Sequence, residues 1–214
     1  MSRYLTEFIG TFFLVLTIGC TVLAGAPGVI PPLAIGAALM VMVFAGAHVS
    51  GAHYNPAVTV ALYLRGKCPA GDVLPYWASQ FAGGALGAWA ALCVLGITAR
   101  FPPPGGAPHE ALAQVMLAEF LFTFALAYVV LNVATAKGTA GNMFYGLAIG
   151  MTVMAGAFAV GHISGGVFNP AVAVGLSIMG LSAWSNLWIY LLSTVAGAVL
   201  AALVFRVINP ADYQ

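Results

Sequence analysis

From Phe8 to Leu64 the chain contains no Asp, Glu, Lys or Arg, and the same holds from Gly138 to Phe205. Soluble domains do not leave stretches of that length without a charged side chain, so most of this chain must meet hydrocarbon rather than water. Composition agrees: 62% of the 214 residues are hydrophobic, 5% are charged, and the mean hydropathy is +1.03. A net charge of +1 carries no basic footprint for nucleic acid. Arg3 and Glu7 run straight into a full-length apolar span with no polar mature region behind it, which argues against a cleaved leader. Cys20, Cys68 and Cys93 show neither paired nor metal-type spacing and read as small buried residues.

A helix needs about 20 apolar residues to cross a bilayer. Six stretches qualify: Leu5–Ala24, Pro32–His48, Leu74–Ile97, Ala111–Val133, Asn142–Ala159 and Ala183–Val207. The second and fifth are slightly short, and each runs into one copy of a repeated motif. The first copy is Gly46-Ala-His-Val-Ser-Gly-Ala-His-Tyr-Asn55-Pro56-Ala57; the second is Gly161-His-Ile-Ser-Gly-Gly-Val-Phe-Asn169-Pro170-Ala171. Asn-Pro-Ala is a helix start, because Asn can cap and Pro at the first helical position lacks only an N–H that would be unpaired anyway. A short apolar run follows each motif, Pro56–Leu64 and Pro170–Met179. About ten residues at 1.5 Å each reach only half a bilayer. The Gly/Ser/His segments before each Asn are then irregular backbone at membrane depth, tolerated only where it lines a cavity or packs in protein.

Six spans place both termini on one side. Arg3, Arg65, Lys67, Lys137 and Arg206 fall on that side and Arg100 on the other, so the positive-inside rule makes the termini cytoplasmic. The chain divides into inverted repeats, about 1–100 and 107–214, each of three spans and one half-helix, in a single channel domain 1–214. The outer loop 98–110 joins them, and Phe101-Pro102-Pro103-Pro104-Gly105-Gly106 within it cannot be helical. That architecture puts a site near the midplane at the repeat interface.

The paired Asn-Pro-Ala motifs, the preceding Gly-His-x-Ser-Gly, and the Thr6-Glu7-Phe8 and Ala118-Glu119-Phe120 span starts resemble the major intrinsic proteins, the aquaporins and aquaglyceroporins, over the whole chain. The resemblance implies an all-α membrane fold of six transmembrane helices and two re-entrant half-helices, assembled as a homotetramer with one pore per subunit and no cofactor. Asn55 and Asn169 would each offer a side-chain N–H to a passing oxygen while their backbone caps the half-helix. The two half-helix N-termini would present about +0.5 of a charge each to the pore centre. An oxygen accepting both bonds has its hydrogens turned away, which breaks a proton wire, while the positive ends repel cations.

Glu7 and Glu119 sit at equivalent places in the two halves. An intramembrane carboxylate is functional by default, as a proton relay or as an acceptor for orphan N–H groups of the irregular loops. The resemblance favours loop anchors. His48 and His162 are candidates for the pore wall, with polar packing of the loop as the alternative, and His53 reads as a structural loop residue. Gly83, Gly84, Gly87, Gly197 and Ala201 form small faces for close helix packing.

The family's outer constriction falls here on Ile35, Ala157, Gly166 and Val172. Most members carry Arg where this chain has Val172, and water-specific members carry Phe and His at the first two positions. None of the four here is aromatic, charged or polar. The expectation is a wide, apolar mouth, unless the 98–110 loop narrows it. Such a pore would pass water and small neutral solutes through the lipid bilayer, in the cell (inner) membrane, without strict water selectivity. The alternatives are a glycerol-, urea- or metalloid-type facilitator of the same fold, a proton-coupled transporter using the two glutamates, or a membrane junction protein without flux. No nucleophile–base set or metal cluster points to an enzyme.

Overall fold

The computed structural model describes residues 1–98 and 111–213. Arg100, the proline run and most of the outer loop lie outside them. The described residues are helical, with six helices long and apolar enough to cross a membrane. In order the α-helices are α1 (Ser2–Ile18, continuing as a π-helical turn Gly19–Leu23), α2 (Ile30–Ser50), the short α3 (Pro56–Leu64), α4 (Ala70–Leu95), α5 (Leu112–Thr135), α6 (Tyr145–Ser164), the short α7 (Pro170–Ile178) and α8 (Leu187–Ile208); all but α3 and α7 are long enough to cross.

Helices α2 and α6 are longer than expected. Both continue through the histidine and serine of the motif and stop only at Gly51 and Gly165, which take left-handed φ of 85° and 88°. The irregular backbone therefore shrinks to residues 51–54 and 165–168. The serines repeated in the two motifs, Ser50 and Ser164, are helix ends rather than loop. Tyr76 on α4 donates its hydroxyl to the Ser50 carbonyl at 2.7 Å, and Tyr190 on α8 donates to the Ser164 carbonyl at 3.1 Å. Each tyrosine satisfies a carbonyl that the helix terminus leaves open.

Lipid offers helices no hydrophobic gain for associating, so they hold together by close approach. The main contacts pair α1 with α4, α5 with α8, and α2 with α6. A Cβ at Gly83 or Gly87 would strike the Phe8 or Phe12 carbonyl of α1, and one at Gly197 would strike the Phe120 carbonyl of α5. At the α2–α6 crossing a Cβ on Gly36 would stand 2.8 Å from the Gly150 carbonyl. Gly36 and Gly150 have the same sequence separation, 114, as Asn55 and Asn169. The α2–α6 contact thus joins the two repeats through equivalent residues, and the half-helices α3 and α7 meet beside it.

Candidate functional site

The two half-helices begin at Asn55 and Asn169, both buried and both with extended backbone (φ −156° and −157°). Each side-chain oxygen caps its own helix. Asn55 Oδ1 accepts from the Ala57 N–H at 2.9 Å, and Asn169 Oδ1 accepts from the Ala171 N–H at 2.9 Å. Each side-chain nitrogen crosses to the other repeat. Asn55 Nδ2 donates to the Phe168 carbonyl at 2.8 Å, and Asn169 Nδ2 donates to the Tyr54 carbonyl at 2.9 Å. This corrects the expectation that backbone alone does the capping. The side chain caps, and one of its two N–H groups is spent holding the repeats together, leaving one per asparagine for a passing group.

Tyr54 and Phe168, immediately before the asparagines, both have φ of 49°, and Ala52 has φ of 51°. Left-handed backbone costs a non-glycine residue about 1–2 kcal/mol, so something must hold it. Glu7 and Glu119 are placed to do that. Glu7 Oε1 accepts from the Ser50 hydroxyl (2.7 Å) and the His53 N–H (2.9 Å); its Oε2 accepts from the Tyr54 N–H (2.7 Å) and Gln80 Nε2 (2.8 Å). Glu119 accepts from the Val167 N–H at 2.9 Å and the Phe168 N–H at 2.6 Å. Both carboxylates are fully buried behind the loops, and neither is in the wall of the two cavities that flank the asparagines and the N-terminal face.

Two cavities meet at this centre. One, about 210 Å³, lies on the α7 side and includes Asn55 and Asn169 in its wall. The other, about 410 Å³, opens on the face carrying the N-terminus, among Arg3, Lys67, Cys68 and Asp72. The first is largely aliphatic, with Leu14, Leu39, Val58, Ile149 and Leu176 among its walls. Ile35, Ala157, Gly166 and Val172 all line it, so the structure brings the four candidate constriction residues into one chamber. A Cβ on Gly166 would lie 3.3 Å from Ala157 Cα, so these two small residues are adjacent.

His48 and His162 do not line either cavity. Both are exposed. The reason is helical phase: Ile35 and Leu39 of α2 face the first cavity, and His48 is nine residues beyond Leu39. At 100° per residue, about half a turn of net rotation puts it on the opposite face. His162 stands in the same relation to Val153 of α6, which lines the cavity. The polar side chain that sequence reasoning left in the background is His53, which lines both cavities, as does Val130 of α5. A signal was available. His53 lies in the irregular segment itself, and its counterpart in the second repeat is Val167, so it marks a difference between the halves.

Two helix N-termini abutting inside a membrane, capped by reciprocally bonded asparagines between two cavities, define a polytopic membrane protein built around a central path. The family profile of the Major intrinsic protein matches residues 1–205, and this chain belongs to that family. It is 39% identical over 218 residues to Aquaporin NIP1-3 of Oryza sativa subsp. japonica, covering 99% of this chain and 75% of that protein. It is 35% identical over 217 residues to Glycerol uptake facilitator protein-like 6 of Lactiplantibacillus plantarum, covering 99% and 100%. The fold matches the X-ray structure of the aquaglyceroporin from Plasmodium falciparum with a TM-score of 0.84, at 22% identity and over 99% of this chain and 98% of that one.

Proposed function

We propose that this chain is a passive pore for water and small neutral solutes, with cytoplasmic termini and one pore in each subunit of a homotetramer. The observation that carries the proposal is the pair Asn55 and Asn169. Each keeps one side-chain N–H after its cap and cross-repeat bond are made, at the junction of two half-helix N-termini, in the wall of a largely aliphatic cavity. A solute oxygen accepts from both amides, and its own hydrogens turn outward, so a continuous proton wire is broken at that point. Cations meet two positive helix ends, about +0.5 of a charge each.

The outer chamber supports a solute range wider than water. Ile35, Ala157, Gly166 and Val172 supply no charged or polar side chain, and Ala157 and Gly166 together leave cross-section free. The name of the Lactiplantibacillus plantarum relative, a glycerol uptake facilitator protein, favours a polyol among the cargoes. The positions of Glu7 and Glu119 speak against a proton relay: both accept hydrogen bonds from the loop N–H groups, and neither lines either of the two cavities. We assign them as loop anchors.

The test is a permeability panel in liposomes containing the purified protein, with water, glycerol, urea and ammonia compared. A passive channel gives flux linear in the solute gradient and indifferent to an imposed proton gradient. Saturable uptake that follows the proton gradient would overturn the proposal in favour of coupled transport.

A further inference from the structure

We propose that the solute filter of this pore lies at His53 and Val130, where the two cavities meet, rather than at the outer ring of Ile35, Ala157, Gly166 and Val172. The inference rests on the reading of the chain as a passive channel. Among the described residues, His53 and Val130 are the two that line both cavities, so a solute passing between them must pass this pair. They come from opposite repeats: His53 from the irregular segment before α3, Val130 from α5, both less than a tenth exposed. One wall of the neck is an imidazole and the other an isopropyl group. Such a neck accepts a solute with a hydrogen-bonding edge and a hydrocarbon edge, the character of a short polyol.

His53 is held in place by a built network. Its Nδ1 lies 3.1 Å from Thr59 Oγ1. Gln80 Nε2 donates to Thr59 Oγ1 at 3.0 Å and to Glu7 Oε2 at 2.8 Å. Thr59 Oγ1 in turn lies 3.1 Å from the Asn55 carbonyl, to which it can donate. The Tyr76 ring packs on the imidazole with centroids 4.6 Å apart. The other ring nitrogen, Nε2, has no partner among the described residues and points toward Gly51, which lines the mouth cavity. One edge of the ring is thus fixed by protein and the other is left for solute. The second repeat has no such device: the counterparts of His53, Thr59 and Gln80 are Val167, Ala173 and Thr194. The chain of bonds runs from Glu7 to the neck, so Glu7 serves the filter as well as the loop, and Thr59 is a positioning residue for His53.

The experiment measures glycerol and water permeability in the same proteoliposomes for wild type, Val130→Ala, Val172→Ala, Thr59→Val and Thr59→Ser, each checked first for wild-type elution in detergent. One methylene more or less on a ligand in an apolar pocket changes discrimination by roughly tenfold or more, which sets the scale for a change of one side chain in the wall. Val130→Ala is expected to raise the glycerol-to-water ratio by about threefold or more, and by more than Val172→Ala does. Thr59→Val, which frees the imidazole without changing side-chain volume, shifts the ratio, and Thr59→Ser restores it. A merely structural threonine would not be rescued in selectivity by serine while Val elutes normally. Conducting wild-type vesicles with an unchanged ratio in Val130→Ala, or a larger change in Val172→Ala, overturn the neck and leave the channel standing. An unchanged ratio in Thr59→Val overturns the role of His53. Wild-type vesicles no more permeable than empty ones in every solute overturn the channel, and the neck with it.

Discussion

Arg65 and Asp212 form an ion pair in which both side chains are nearly enclosed, 5% and 6% exposed, with Nη2 3.2 Å from Oδ2. The pair closes the terminal face of the molecule. Arg65 caps the end of half-helix α3 and stacks between Phe205 and Tyr213, while both Asp212 oxygens accept from the Lys137 N–H. The short helical turn Pro210–Tyr213 is thereby tied to α3 and to the end of α5. Breaking one side of such a pair strands a buried charge.

Asp212→Ala should therefore be costly. Arg65 Nε is already without a partner, and loss of the carboxylate leaves the guanidinium uncompensated, at about 3–5 kcal/mol. The measurement is the thermal midpoint of the detergent-solubilised protein. Arg65→Met combined with Asp212→Leu should lose less than Asp212→Ala alone, because no charge is then left unpaired. A single variant that melts with wild type would show that the pair contributes nothing.

Glu7 and Glu119 differ in a way that sets the order of their variants. Each carboxylate uses both oxygens as acceptors, so Gln, with one acceptor oxygen and an NH₂, must strand a donor at either site. A stranded buried donor costs about 1–3 kcal/mol. Glu7→Gln, facing four donors, should reduce folded yield and flux more than Glu119→Gln, and Glu→Leu should be worse than Gln at both positions. A relay predicts the reverse signature, with Gln abolishing transport while expression is untouched.

Asn169→Val removes three things together: the cap on α7, the bond to the Tyr54 carbonyl, and the free N–H facing the cavity. Asn169→Asp keeps the cap, since a carboxylate oxygen can still accept from Ala171, but donates nothing. Each lost hydrogen bond is worth about 1 kcal/mol. Valine should lower both stability and flux several-fold; aspartate should keep most of the stability while losing neutral-solute flux. Comparing melting temperature with water permeability separates the two. Wild-type flux in both variants would reduce the asparagine to a helix cap.

Val172→Arg installs a long cation in the aliphatic outer chamber. It should lower glycerol permeability more than water permeability, because the side chain removes cross-section before it blocks a small molecule. Residual cation leak should fall too, since a fixed positive charge in a low-dielectric pore repels strongly. The glycerol-to-water ratio of variant and wild type in matched vesicles is the readout. A ratio that does not move would show that the side chain at position 172 does not reach the solute path.

Membrane residence, the six spans, the two half-helices and their capping asparagines are determined by the sequence alone. Each follows from a local property: charge-free length sets a span, and Asn followed by Pro sets a helix start wherever it lies. Which face of each span looks inward is decided by the tertiary structure. A soluble helix betrays its buried face by an apolar stripe, but α2 and α6 are apolar toward both lipid and cavity, so periodicity carries no phase. Phase here is set by the Gly36–Gly150 crossing, where only a missing side chain allows the helices to meet. That crossing turns Leu39 and Val153 inward and His48 and His162 outward. The cross-repeat bonds of Asn55 and Asn169, and the presence of His53 and Val130 in the walls of both cavities, likewise bring together residues far apart in the chain. They exist only once the two repeats have packed, because no local rule of sequence brings a loop of one half against a helix of the other.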